Sequence, residues 1–580
     1  MLLTVENLST WLRSGGETVK AVDGVSFTID KGETFCLVGE SGSGKSVTAL
    51  SVIQLLPLDI TTHPGGRVLF DYRYDDGRIE NVDMLSAPEE RKRTIRGSRI
   101  AMIFQEPMTS LNPVFTVGDQ IVEALQLHHP DMRYGEARER AITALEQVQI
   151  PNAAERVDEY PHRLSGGQRQ RVMIAMAMAC EPDLLIADEP TTALDVTVQA
   201  EILRLMKDLQ ARKGMSILFI THDFGVVSQM ANRLAVMRLG KIVESGTLNE
   251  VLKSPKHDYT KQLLAALPEN LKRHKSVPRV AESREEKNVS VAGLSRPPSP
   301  WESSEASESA HPLAGAHFPL IDLKGLEVHF PIKKGVLQRT VDYVRAVDGV
   351  DFQIPRGQIL ALVGESGCGK TTLGRAILRL VQPTGGTVQY GGRDITTLSR
   401  HEMRPLRREL QIIFQDPMSS LNPRLTIADT LTEPMKVHGI GESGNERLDL
   451  ARRILERVQL DPDYVWRYPH EFSGGQRQRI GIARALALNP SFIVCDEVTS
   501  ALDVSVQAEI LQMLLDLREE RNLTLLFITH NIGVVEYISD EMAVMYDGKI
   551  VERGLTDRVC GQPSHPYTQK LLAAVPRVQL

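Results

Sequence analysis

The chain has 580 residues, 42% hydrophobic and 24% charged, the make-up of an ordinary globular protein long enough for two or more domains. Its net charge of −7 supplies no overall basic field, so nucleic acid is not an expected partner. Cys36, Cys180, Cys368, Cys495 and Cys560 lie far apart without a Cys-x-x-Cys pair, which argues against zinc, iron–sulfur and disulfide frameworks and for buried thiols in a reducing compartment.

The N-terminus, Met1-Leu2-Leu3-Thr4-Val5-Glu6, lacks the basic region and apolar core of a signal peptide. No window approaches 18 uninterrupted apolar residues, so no membrane span is expected. Lys20–Ile29 alternates like antiparallel strands, and the apolar run Phe35–Val38 reads as a buried strand. Next comes Gly39-Glu40-Ser41-Gly42-Ser43-Gly44-Lys45-Ser46, the pattern G-x-x-x-x-G-K-[ST], and a helix is predicted from Val47 onward. Strand, glycine-rich loop and helix start together make a phosphate cradle. The loop amides of Gly39, Ser41, Gly42, Ser43, Gly44 and Val47 converge on one anion, and the helix end adds partial positive charge. Lys45 then reaches the β/γ-phosphates and the Ser46 hydroxyl can ligate Mg²⁺.

Farther along, the polar stretch near Asp71–Pro88 reads as a surface loop insertion. Gln105 ends the apolar run Met102-Ile103-Phe104; its carbonyl can ligate Mg²⁺ and its amide can orient water. Glu136–Val148 has helical periodicity. Leu164-Ser165-Gly166-Gly167-Gln168 precedes another helical run, and a serine with two glycines at a helix start forms a second anion site. The strand Leu184–Ala187 ends in Asp188, suited to Mg²⁺, and Glu189, suited to take a proton from attacking water. His222 follows the strand Ile217–Ile220, where it can donate to a γ-phosphate.

All of this recurs. Gly364-Glu365-Ser366-Gly367-Cys368-Gly369-Lys370-Thr371 follows Ile359–Val363 and leads into Thr372, and Gln415, Ser473-Gly474-Gly475-Gln476, Asp496-Glu497 and His530 come after it in the same order. The offset is 325 at the lysines (370 − 45), 310 at the glutamines (415 − 105) and 308 at the serines, aspartates and histidines (473 − 165, 496 − 188, 530 − 222). About fifteen extra residues therefore separate loop and glutamine in the first copy. Residues 1–269 and 317–580 are expected to be two α/β domains. The Ser/Glu/Pro-containing stretch 270–316 between them reads as a flexible tether spanning roughly 34–41 Å.

The order of loop, glutamine, Leu/Phe-Ser-Gly-Gly-Gln, paired acids, Ala193-Leu194-Asp195 or Ala501-Leu502-Asp503, and histidine resembles the ATP-binding cassette (ABC) ATPase, twice over. The resemblance implies, in each unit, a RecA-like P-loop core with an antiparallel β-subdomain and an α-helical signature subdomain. It also implies an intramolecular head-to-tail pseudo-dimer. In that arrangement the loop at 39–46 shares a nucleotide with 473–475, and the loop at 364–371 with 165–167. Glu189 and Glu497 would be the catalytic bases, with His222, His530, Gln105 and Gln415 beside them. Ser46, Gln105, Asp188, Thr371, Gln415 and Asp496 would hold Mg²⁺. Phe330 takes the adenine-stacking position in the second unit, whereas the first has Leu12 there, beside Trp11.

Glu106-Pro107-Met108-Thr109-Ser110-Leu111-Asn112-Pro113, its counterpart Asp416–Pro423, and the turns His257-Asp258-Tyr259-Thr260 and His565-Pro566-Tyr567-Thr568 are similar to the peptide/nickel importer group in its double-length form. That implies ATP and Mg²⁺, two inner-membrane permeases, a periplasmic solute-binding protein and a place on the cytoplasmic face of the inner membrane. The segments after Gln105 and Gln415 would face the permeases. No cysteine cluster follows either turn, so no iron–sulfur cluster is expected. The alternative is a tandem ABC ATPase acting on ribosomes, for which the Thr192-Ala193-Leu194-Asp195 loop and the Ser/Glu/Pro linker are the wrong features. A DNA-repair ATPase would need zinc-binding cysteine pairs, and a non-hydrolysing scaffold would not need Glu189 and Glu497.

Overall fold

A computed structural model describes residues 1–14, 17–74, 76–105, 110–191, 194–271, 319–334, 339–500, 502–576 and 578. Most of the expected tether, 272–316, lies outside the described residues, as do Glu106–Thr109, Thr192, Ala193 and Ala501. Two compact units are present: Met1–Ala266 with Ala574–Leu580, and Leu267–Ala573.

In the first unit a six-stranded sheet runs in the order Lys241–Thr247, Arg233–Arg238, Thr34–Val38, Ser216–Thr221, Leu184–Asp188, Ile100–Ile103. Thr34–Val38 is parallel to both its neighbours, and the parallel pairing continues to Ile100–Ile103. Thr34–Val38, Leu184–Asp188 and Ser216–Thr221 are buried at every position, as strands covered on both faces must be. Their carboxyl ends point the same way, so the loop after Val38, the acids after Ala187 and the histidine after Thr221 emerge on one edge. That edge is where open α/β sheets bind ligands. A second, antiparallel sheet in the order Glu17–Ile29, Leu3–Ser14, Thr61–Arg73, Ile79–Asp83 packs on it through Leu3, Val5, Leu8, Phe35, Leu37, Ile186 and Ile220.

The second unit repeats the plan. Its six strands run Leu410–Ile413, Phe492–Asp496, Thr524–Ile528, Ile359–Val363, Glu541–Tyr546, Lys549–Leu555. Its antiparallel sheet runs Arg339–Ile354, Ile321–Lys334, Gly385–Tyr390, Arg393–Asp394. The helices Ile427–Val437, Gly444–Arg457 and Gly474–Leu486 form a layer around Leu431, Met435, Leu450, Leu455 and Ile480. Thr426 caps the first of these by accepting from the Asp429 amide, and Ser473 caps the third in a box with Gln476. α/β cores, antiparallel β-subdomains and helical layers are thus all present.

The extra residues of the first unit are distributed differently from the expectation of one surface loop. Strand register makes Phe70 the counterpart of Tyr390, an offset of 320 (390 − 70), and Val82 the counterpart of Arg393, an offset of 311 (393 − 82). Five additional residues therefore precede Phe70, nine lie in the following turn, and one more comes before Gln105. They lengthen a β-hairpin whose Tyr74 donates to Glu80 at 2.5 Å and whose Tyr72 ring lies 4.1 Å under Arg91 of the following helix Glu89–Ile95. Polar composition looked loop-like because this hairpin packs on the following helix by cation–π and charged contacts.

Candidate functional site

Each phosphate loop is closed around its own lysine. Lys45 Nζ donates to the carbonyls of Gly39 (2.7 Å) and Glu40 (2.8 Å) and to Ser43 Oγ (3.4 Å). Lys370 Nζ donates to Gly364 O and Glu365 O, both at 2.8 Å, and to Cys368 Sγ at 3.8 Å. Gly44 and Gly369 take φ of 101° and 109°, and a Cβ there would run into the carbonyl of Ala21 or Ala346. Only glycine allows the loop so close to the antiparallel sheet.

At the first helical turn Ser46 Oγ donates to Asp188 Oδ1 at 3.0 Å, and Thr371 Oγ1 to Asp496 Oδ1 at 2.9 Å. Burial pushes Asp188 up to about 6; the neighbouring Glu189 charge adds to this, while Ser46 and Lys45 oppose it. Burial raises Asp496 as well. A carboxylate whose charge is this poorly compensated, touching a hydroxyl, is a pair of hard oxygen donors that fits Mg²⁺. No cluster of three or more His, Cys, Asp or Glu that could hold a metal occurs among the described residues. Any ion here would thus take its remaining ligands from water and phosphate.

Glu189 and Glu497 sit in the left-handed region, at φ 46° and 49°. For a non-glycine residue that backbone is strained, and such strain concentrates at functional positions. Each nonetheless keeps its strand bond, donating its amide to Ile220 O or Ile528 O at 2.9 Å. Gln105 Nε2 donates to Glu189 Oε2 at 2.9 Å, and His222 Nδ1 lies 3.0 Å from Oε1. In the second unit the distances are 2.7 Å from Gln415 and 3.5 Å from His530. Burial would lower His222, but its bond to Glu189 and the charges of Glu189 and Asp223 outweigh that and raise it. Glu497 would be raised by burial; the bond and charge of His530 hold it low instead.

The structure therefore brings loop, hydroxyl, aspartate, glutamate, glutamine and histidine together within each unit. Ser165–Gln168 and Ser473–Gln476 stand apart from this network, at the starts of helices Gly166–Met178 and Gly474–Leu486. Ser165 Oγ accepts from the Gln168 amide at 3.3 Å while Gln168 Oε1 accepts from the Ser165 amide at 3.1 Å, so both side chains are committed to the cap. The two glycines differ. Gly166 and Gly474 face open space, whereas a Cβ on Gly167 or Gly475 would stand 2.7 Å from Val198 or Val506 Cγ1.

Phe330, 43% exposed, pairs across the hairpin with Val344. Leu12 pairs with Val19 at the matching register, and Trp11 pairs with Lys20, whose ammonium lies 5.1 Å over the indole. The sequence reading missed two features. Nothing in the residue types announced the left-handed glutamates. The tyrosines of the two C-terminal turns also touch the phosphate loops, for which the repeated His-x-Tyr-Thr was the available signal.

The "ABC transporter" family model matches residues 22–192 and 347–500. The chain belongs to the ABC transporter family, and each of its units is an ABC ATPase cassette. A second model, "Oligopeptide/dipeptide transporter, C-terminal region", matches 243–291 and 551–579. The glutathione import ATP-binding protein GsiA of Escherichia coli (strain K12) is 48% identical over 576 residues, covering 99% of this chain and 89% of that protein. The peptidoglycan transport ATP-binding protein YejF of Agrobacterium fabrum is 47% identical over 573 residues, covering 99% and 96%. A solved dimeric ATP-binding cassette bound to ADP and Pi is 27% identical, with a TM-score of 0.37, over 43% of this chain and 99% of its own. The ribosome-acting alternative is not supported, because the C-terminal region in both cassettes is that of transporters. No helix among the described residues is long and apolar enough to cross a membrane.

Proposed function

We propose that this ABC ATPase energises the import of glutathione or a related peptide, with both cassettes hydrolysing ATP. The observation that carries the reading is the glutamate of each cassette, bracketed by a glutamine amide and a histidine beside a hydroxyl–aspartate pair. Residues 1–269 and 317–580 are taken as the two ATPase domains and 270–316 as their tether.

In this reading the loop amides and Lys45 or Lys370 bind the triphosphate. Ser46, Asp188 and Gln105, or Thr371, Asp496 and Gln415, would hold Mg²⁺, which supplies charge neutralisation and orientation of the phosphate oxygens. Glu189 or Glu497 accepts the proton of the water attacking the γ-phosphorus, and ADP departs. Gln105 and His222, or Gln415 and His530, hold that carboxylate in place. Gly166 and Gly474 open the helices Gly166–Met178 and Gly474–Leu486, and a helix start of this kind is suited to anion recognition. Hydrolysis is coupled to a conformational change in two inner-membrane permeases fed by a periplasmic solute-binding protein, with this chain held peripherally at the cytoplasmic face. The names of the relatives, one for glutathione and one for peptidoglycan, support a peptide-like solute.

The test is uptake of labelled glutathione and short peptides by cells lacking this chain. Re-expression should restore uptake, whereas the double variant Glu189→Gln/Glu497→Gln should bind ATP without turning it over and restore none. Normal uptake with the double variant would refute the assignment of the bases.

A further inference from the structure

The C-terminal turn of each cassette is built to present a tyrosine. In the first unit the Glu244 carboxylate accepts from the amides of Lys256 (2.7 Å) and His257 (3.1 Å), fixing the turn to strand Lys241–Thr247. His257 Nδ1 then accepts from the Tyr259 amide at 3.1 Å and starts helix Asp258–Ala265. Tyr259 is 5% exposed, its ring lies 4.7 Å from the Arg238 guanidinium, and its hydroxyl donates to Glu40 Oε2 at 2.7 Å. Burial, followed by Glu40, pushes that hydroxyl up, so it remains a donor at working pH.

The second unit uses the same parts. Glu552 accepts from Ser564 N (2.8 Å), Ser564 Oγ (2.7 Å) and His565 N (3.0 Å), and His565 Nδ1 accepts from the Tyr567 amide at 3.2 Å. The Tyr567 ring packs against Tyr546, with centroids 4.4 Å apart, and its hydroxyl accepts from the Glu365 amide at 3.0 Å. The histidine and the tyrosine of each His-x-Tyr-Thr turn thus have a task, and the tasks end at the phosphate loop.

The contacted residue is the same in both loops. Glu40 and Glu365 are also the residues whose carbonyls accept from Lys45 and Lys370 at 2.8 Å. One unit grips this position through a carboxylate, the other through a main-chain amide. What the two halves share is therefore the grip on that position, not one particular hydrogen bond. We infer that Tyr259 and Tyr567 are positioning residues of the ATP sites: the C-terminal turn clamps the second residue of each phosphate loop and thereby sets the loop and its lysine for the triphosphate. This rests on the reading of the loops as ATP sites.

The test uses the full chain carrying Lys370→Ala, so that the first cassette reports. Tyr259→Phe removes only the hydroxyl and is expected to weaken ATP binding about fivefold by calorimetry, the scale of one hydrogen bond. It should also speed amide hydrogen exchange across 39–46 in the nucleotide-free chain. Glu40→Ala should reproduce both effects, Glu40→Gln, which keeps an acceptor, should recover most of the loss, and Tyr259→Phe/Glu40→Ala should be no worse than either single change. In a Lys45→Ala chain, Tyr567→Phe should do the same across 364–371. Unchanged loop exchange together with unchanged ATP affinity in Tyr259→Phe would overturn the clamp, as would independent, additive losses. If the Lys370→Ala chain binds no ATP, the fault lies with the ATP reading of that loop, and the exchange measurement still decides the clamp.

Discussion

Asp188 should destabilise the nucleotide-free protein. It is 5% exposed, its carboxylate accepts from Ser46 Oγ at 3.0 Å, and burial pushes it from an ordinary 3.8 up to about 6. For a carboxylate raised in the folded state, the folded chain holds the proton longer than the unfolded chain does. Stability is therefore lost as pH rises above 3.8, and the loss is complete above about 6. About two pH units at 1.36 kcal/mol each make this roughly 3 kcal/mol at pH 7.5 and about 1 kcal/mol at pH 4.5. Asp188→Asn keeps the volume and an acceptor for Ser46 but removes the charge. The first unit should then unfold roughly 6–12 °C higher at pH 7.5 in the absence of nucleotide, with a much smaller gain at pH 4.5. The same variant should lose the added stabilisation that Mg²⁺ and ATP give its parent. Differential scanning calorimetry at the two pH values reads all three effects. A variant less stable than its parent at pH 7.5, or a gain independent of pH, would refute the reasoning.

Phe330→Ala should weaken ATP binding to the second cassette roughly tenfold in a Lys45→Ala chain, since base stacking on an aromatic ring contributes about 1–3 kcal/mol. Leu12→Tyr should tighten the first site in a Lys370→Ala chain, and inorganic tripolyphosphate, which has no base, should respond to neither change in calorimetry. His222 is raised by Glu189, so the pair's contribution to stability is full below 6.5 and lost as pH rises through the raised value. His222→Gln should accordingly cost more in unfolding temperature at pH 6 than at pH 9; equal losses at both would refute the pairing.

Residue types alone revealed the site's inventory because the chemistry demands them at fixed places along buried parallel strands. Apolar runs ending in Lys-bearing loops, Asp-Glu and His locate one sheet edge without any structure. Backbone conformation is harder to read. Glu189 and Glu497 occupy a region that glutamate seldom enters, and the surrounding pairing with Ile220 and Ile528, not their own preference, keeps them there. Contacts far apart in the chain are equally invisible: Glu40 and Tyr259 are separated by 219 positions, and nothing in either neighbourhood names the other. The lengthened hairpin of the first unit was misjudged for a related reason. Arg91, Tyr72 and Tyr74 look like solvent-facing polar residues until the helix Glu89–Ile95 packs against the hairpin and brings them together.

The ammonium of each loop lysine has a further consequence. It has already left water and is already oriented, held by two carbonyls that carry only partial charge. An arriving triphosphate has no floppy side chain to freeze and little hydration to strip from that group; it offers a stronger acceptor to a donor that is already waiting. The entropic toll of recruiting a flexible cation was met when the chain folded, and recognition becomes an exchange of partners.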